Sequence, residues 1–188
     1  MRTMRWMTTI LIVGLAACDH QSSPASGGSP GTIALINPDF EIGPDANADI
    51  PGWATGQHAG DLSYKFEIDH NTHATGVASF RIERILDQVY GMISQNVPVA
   101  AQAGHTVELT AQMKTQSVGP EGWQLMLTFS GNGPSSRQSA KPLVGTQDFH
   151  TIVIRAKVPP DAQQAEIAAV LNDAGIAWID DVHLRVVD

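Results

Sequence analysis

Val107-Glu108-Leu109-Thr110-Ala111-Gln112-Met113-Lys114 alternates apolar and polar side chains without a break. That period of two is the signature of a strand with one buried face, since a helix would space its apolar positions by three and four. The pattern recurs on both sides of this stretch. Trp123, Leu125, Leu127 and Phe129 alternate with Gln124, Met126 and Thr128, and Phe80 and Ile82 alternate with Ser79, Arg81 and Glu83. Leu62, Tyr64, Phe66 and Ile68 alternate with Ser63, Lys65 and Glu67. Ile152 and Ile154 mark another strand, Ile167, Ala169 and Leu171 the next, and Trp178, Val182 and Leu184 the last.

Turn residues punctuate these runs: Pro51-Gly52, Gly76, Gly104, Gly119-Pro120, Gly131-Asn132-Gly133-Pro134, Gly145 and Pro159-Pro160. No long helical period appears. The segment 161–170 has helix-forming residues, but it is short and follows two prolines, so it reads as a strand. There is no internal repeat. Nine or ten short strands joined by turns predict an all-β fold, a two-sheet antiparallel sandwich of the jelly-roll type.

The start of the chain bears on location. Arg2 and Arg5 precede the apolar residues Ile10 to Val13, and Leu15-Ala16-Ala17 leads into Cys18, the only cysteine. The apolar stretch is shorter than the ~20 residues of a membrane-spanning helix. Residues 1–17 therefore read as a cleaved signal. Its end is similar to the lipobox of bacterial lipoproteins, which implies lipidation of Cys18 and a domain held in the bacterial cell envelope. An ordinary secretory signal with an incidental cysteine is the competing assignment, but a lone thiol has no disulfide partner there. Asp19 resembles an inner-membrane retention signal of enteric bacteria, a rule that varies between bacteria. Residues 19–31, DHQSSPASGGSPG, have almost no apolar side chains to bury and read as a tether after the lipidated residue. The globular domain is expected to run from Thr32 to Asp188, long enough for one core.

Lys and Arg total 11 against 19 Asp and Glu, a formal charge of −8. Loss of Arg2 and Arg5 with the signal makes the surface more acidic still. Such a charge argues against nucleic acid as a partner and is compatible with neutral ligands and divalent cations.

Three groups of residues then fall in order. The first is Leu35-Ile36-Asn37-Pro38-Asp39-Phe40-Glu41 with Pro51-Gly52-Trp53. The second is Thr75-Gly76-Val77-Ala78-Ser79, Ile93-Ser94-Gln95-Asn96-Val97-Pro98-Val99 and Ala103-Gly104-His105-Thr106. The third is Ala177-Trp178-Ile179-Asp180-Asp181-Val182. This order resembles the cellulase C-type carbohydrate-binding modules of families four, nine and twenty-two, from about Leu35 to Leu184. The resemblance implies the galactose-binding-like jelly roll and a poly- or oligosaccharide partner. It also implies a structural calcium ion, held by the side chains of Glu41 and Asp180 and by backbone carbonyls near Asp39, Thr75 and Ala78. Hard oxygen donors from distant segments are what calcium accepts.

Sugar recognition needs an aromatic face and planar polar groups. The resemblance puts Tyr90 where such modules carry a stacking ring. Polar strand faces offer Arg81, Glu83, Gln112, Lys114, Gln124 and Thr128, of which Gln124 ranks after Tyr90. The second cleft aromatic, expected near Pro134 or Ser135, is missing. Trp53, Trp123 and Trp178 read as packing residues.

Catalysis finds little support. His70 and His73 lie three apart in a predicted loop without further zinc ligands. Glu83, Asp87 and Glu108 could supply the carboxylate pair of glycoside hydrolysis, but strand carboxylates on a solvent face are commoner and nothing in the sequence places them opposite one another. Nucleophile elbow, phosphate loop and dinucleotide fingerprint are all missing. The expectation is a non-catalytic, lipid-anchored glycan-binding module. The alternative is an envelope lipoprotein whose sandwich contacts a protein partner, with no sugar site.

Overall fold

The computed structural model describes residues 31–58 and 60–188. The signal, Cys18 and most of the tether lie outside the described residues. Ten strands follow in order: β1 (Thr32–Ile33), β2 (Ala54–Gln57), β3 (Tyr64–Asp69), β4 (Ser79–Arg84), β5 (Gly91–Pro98), β6 (Thr106–Gly131), β7 (Ser136–Ser139), β8 (Leu143–Lys157), β9 (Ala162–Leu171) and β10 (Ile176–Val186). The one helical element among the described residues is a 3-10 turn at Ala100–Gln102. The segment with helix-forming composition is indeed strand β9.

All pairings are antiparallel, and β6 belongs to both layers. Its first half pairs with β10 and β8, and β4 and β3 follow beyond β10. Its second half pairs with β9 and β7, and β5 and β2 follow beyond β9. The first sheet is thus β3–β4–β10–β6–β8, with β1 on β10, and the second is β2–β5–β9–β6–β7. Inner faces supply the core. Phe80, Ile82, Leu109, Met113 and Ile179 come from the first sheet, and Ile93, Leu125, Leu127, Phe129 and Ile167 from the second.

Two sequence expectations change. Gly119-Pro120 does not end a strand. Instead β6 bends through it, with Ser117 at a φ of 53° and register shifts against β8 at Thr115, Val118 and Trp123. A bend of this kind lets one strand serve two sheets. Gly145 likewise lies within β8, opposite Val118.

Trp178 also departs from its expected phase. Even spacing would put it on one face with Val182 and Leu184, but the register shifts between Asp180 and His183. Asp181 there has a φ of 49°. The extra residue flips the alternation. Trp178 stands on the outer face of the first sheet, beside Arg81 and Lys114, while Val182 and Leu184 join the core. It is still buried, because both cations lie over its ring at 5.9 Å and its Nε1 donates to Asp69 Oδ2 at 2.9 Å. Trp53 and Trp123 are core residues as expected.

Candidate functional site

Register sorts the outer face of the second sheet into rows. Side chains two apart share a face, and paired residues stand side by side across neighbouring strands. Asn96, Glu166, Thr128 and Arg137 form a polar row from β5 to β7. Beside it run Ser94, Ala168, Met126 and Ser139, and then Met92, Val170 and Gln124. A groove of about 390 Å³ lies over these rows, with Tyr90 and Asn172 also on its wall. Its floor is apolar, from Met92, Met126, Ala168 and Val170, and one side carries the polar row. Tyr90 is half-buried, and the His58 ring meets it edge-on at 5.9 Å and 76°. The His58 backbone N–H donates to the Tyr90 carbonyl at 3.0 Å, which fixes the Tyr90 backbone at the groove edge.

The expected sugar contacts divide between the two sheets. Tyr90 and Thr128 line the groove. Gln124 shares their face, but its Nε2 donates to the Ala140 carbonyl at 2.7 Å and so braces the β7–β8 connection. Arg81 and Gln112 belong to the outer face of the other sheet. Arg81 is held by Glu67 and Glu83, and Gln112 donates to Thr151 Oγ1 at 3.0 Å. They do not meet Tyr90, because β4 and the first half of β6 lie in the opposite layer. Glu83 and Lys114 sit on that same far face.

Sequence reasoning missed Met92, Met126, Arg137, Glu166 and Asn172. The outward phase of β9, opposite Ile167 and Ala169, was enough to place Glu166. Arg137 carried no such signal, since β7 is only four residues long.

The second arrangement joins the two ends of the domain. Asp180 is fully buried, and its Oδ2 accepts the backbone N–H groups of Ala74 at 2.8 Å and Thr75 at 2.9 Å. Glu41 Oε1 accepts those of Val77 at 2.8 Å and Ala78 at 3.2 Å. Val182 donates to the Pro38 carbonyl at 2.9 Å, which brings the segment before Asp39 against β10. Glu41, Thr75, Ala78 and Asp180 therefore converge on the loop before β4, and half-buried Asp39 follows Pro38.

Burial pushes the Asp180 carboxyl above its ordinary range, against the pull of three backbone N–H groups, and nearby Asp181 adds to the rise. Glu41 Oε2 has no hydrogen-bond partner among the described residues. A buried carboxylate beside another negative group, and a second carboxylate from the β1–β2 connection with a spare oxygen, bonded to the same loop, fit a hard divalent cation. No three His, Cys, Asp or Glu side chains among the described residues form a metal cluster, so backbone oxygens must complete any shell. His70 and His73 lie in the same connection, and His70 Nδ1 bonds the Val77 carbonyl at 3.2 Å.

No protein-family model matches the chain, and no curated protein does. Solved structures do. The xylan-binding CBM22-1 domain of Paenibacillus barcinonensis Xyn10C is 15% identical with a TM-score of 0.58, over 86% of this chain and 99% of that one. TmCBM61, solved with β-1,4-galactotriose, is 17% identical with a TM-score of 0.57, over 82% and 99%. A Stig cyclase, Fisc, from Fischerella sp. TAU is 14% identical with a TM-score of 0.63, over 85% and 98%. The chain also matches the enzymatically active domain of bacteriophage CBA120 tailspike protein 4, at 17% identity and a TM-score of 0.60, but spans only 22% of it. The shared property at these identities is the backbone: the chain has the galactose-binding-like jelly-roll fold of carbohydrate-binding modules.

Proposed function

We propose that this protein is a non-catalytic, lipid-anchored module of the bacterial cell envelope that binds a poly- or oligosaccharide in the groove of its second sheet. The groove's build carries the proposal. Its apolar floor suits the C–H faces of pyranose rings, the polar row suits their hydroxyls, and the ring of Tyr90 offers a stacking edge. Likeness in fold to domains that bind xylan and galactotriose supports the same reading. Among the residues lining the groove, Glu166 is the only carboxylate. Canonical-type glycoside hydrolysis uses two, so the lining favours binding over cleavage.

In this reading calcium sits at the loop held by Glu41 and Asp180. It would supply positive charge to a buried carboxylate and lock the loop to β10, so its role is stability rather than sugar contact. Cys18 would carry the lipid, with residues 19–31 as the leash.

One observation favours the alternative, a protein partner. Ile85, Leu86 and Val89 in the β4–β5 connection are 52%, 56% and 60% exposed, just before Tyr90. Affinity electrophoresis separates the two. The chain is run in native gels containing xylan, β-glucan, galactan or soluble cellulose. Retardation by at least one glycan, abolished in Tyr90→Ala, supports the groove. Unretarded migration in every gel defeats the glycan reading and leaves the protein-contact one.

A further inference from the structure

Among the described residues, the arginines of this acidic chain have carboxylate partners, with one exception. Arg81 pairs with Glu67 at 2.5 Å and Glu83 at 2.6 Å. Arg84 pairs with Asp173 at 3.3 Å and Asp87 at 3.4 Å. Arg155 and Arg185 share Glu108, at 2.6 Å and 2.5 Å. Arg137 alone among the described arginines makes no ion pair, and it lines the groove. Its single side-chain hydrogen bond runs from Nε to Thr128 Oγ1 at 3.1 Å.

That bond matters for direction. It uses the inner N–H of the guanidinium and leaves both terminal nitrogens without a partner among the described residues. Thr128 in turn stands in register with Arg137 and with Glu166, so the row itself aims the arginine across the face. Glu166 makes no ion pair with it. The two are separated by the width of β6, and adjacent strands lie about 4.8 Å apart. Lys141 and Lys157 also lack carboxylate partners among the described residues, but both lie outside the groove.

We propose that Arg137 is a carboxylate-binding position, and that the glycan taken by the groove carries a uronic acid. The inference rests on the glycan reading of this groove and adds to it the class of sugar. A planar guanidinium with a free outer edge matches a carboxylate through two parallel hydrogen bonds. Hydroxyls of a neutral sugar need no such cation, and the polar row already offers Asn96, Thr128 and Glu166 for them. The net negative charge of the chain opposes an acidic ligand at long range, but screening limits that to about 8 Å at physiological salt. Contact at Arg137 is local and outlasts it.

The test is calorimetric titration of the full chain with matched pairs of oligosaccharides. Each pair is a uronate-bearing glycan (glucuronate-substituted xylo-oligosaccharide, oligogalacturonate) and the same glycan after reduction of its carboxyl groups to alcohols. The expected result is about tenfold tighter binding of at least one acidic member, the size of one charge-assisted contact. Arg137→Gln should bring that ratio close to one, and Arg137→Lys should restore part of it. Unchanged melting would show that both variants are folded. Equal binding of both members by the native chain, or a ratio unmoved in Arg137→Gln, overturns the uronate inference while the glycan reading stands. Failure of every acidic and neutral glycan to bind removes both.

Discussion

Asp180 Oδ2 accepts the backbone N–H of Thr75 at 2.9 Å, and through that bond the last strand of the domain holds the loop that opens β4. Burial raises the carboxyl of Asp180, so in the absence of a cation its proton is bound more tightly in the folded state than in the unfolded one. The stability from that proton is fully present below the unfolded value and is lost as pH rises through the folded one. Once that proton is lost, the buried charged carboxylate is a liability that calcium would remove. Melting should therefore rise by about 5 °C or more with calcium over chelator if the ion is well above its dissociation constant. Asp180→Asn should lose the increment. Identical melting curves for the native chain with calcium and with chelator would eliminate the site.

Gly76 tests the other half of the same clasp. Its φ is +56°, and a Cβ there would run into the carboxyl group of Glu41. Gly104 has a φ of +84° with open space around it. Gly104→Ala should lose only the backbone term, about 1–2 kcal/mol. Gly76→Ala should lose that plus the two hydrogen bonds from Val77 and Ala78, roughly 1 kcal/mol more apiece. Denaturant titrations giving the same loss for both variants would mean that Glu41 contributes nothing to holding the loop.

Glu108 should make the fold sensitive to acid. Hydrogen bonds from Arg185 and then Arg155 outweigh burial and hold its carboxyl below the ordinary range. Its contribution is present above the unfolded value and lost as pH falls through the lower folded one. Glu108→Gln should cost about 1–2 kcal/mol at pH 7, a modest figure because both arginine side chains are largely exposed and regain water. The gap between native and variant proteins should narrow towards pH 3. A gap that stays constant over that range would show that the ion pairs carry no weight.

The fold was legible because strand periodicity is a local property. Val107 to Lys114 announces one buried face whatever its neighbours are, and Leu109 and Met113 do enter the core. The convergence of Glu41 and Asp180 on the loop before β4 was also legible, through the resemblance. What the residues did not reveal was layer membership. Gln112 and Gln124 have the same local pattern, yet the bend at residues 117–122 sends them to opposite sheets. A glycine and a proline in that bend read as a chain reversal, because nothing local distinguishes a turn from a strand crossing between sheets. Trp178 was misphased for a similar reason, since one bulge residue at Asp181 reverses everything before it.

That separation of layers gives a direct mutational contrast for ligand binding. Tyr90 and Met126 belong to the groove, whereas Arg81 and Gln112 occupy the far face of the other sheet. Tyr90→Ala removes the only aromatic ring in the groove lining and should weaken glycan binding by about tenfold, a loss of about 1.4 kcal/mol of contact and buried area. Met126→Ser replaces part of the apolar floor with a hydroxyl and should weaken binding by a smaller factor. Gln112→Ala should leave affinity unchanged, because its amide reaches only Thr151 on the opposite face. Arg81→Gln should lower the melting temperature by uncovering Trp178 and releasing Glu67 and Glu83, with affinity preserved in the folded fraction. Calorimetry on a glycan selected by the gel experiment measures all four. Loss of binding in Gln112→Ala with none in Tyr90→Ala would move the site to the first sheet and reject the groove.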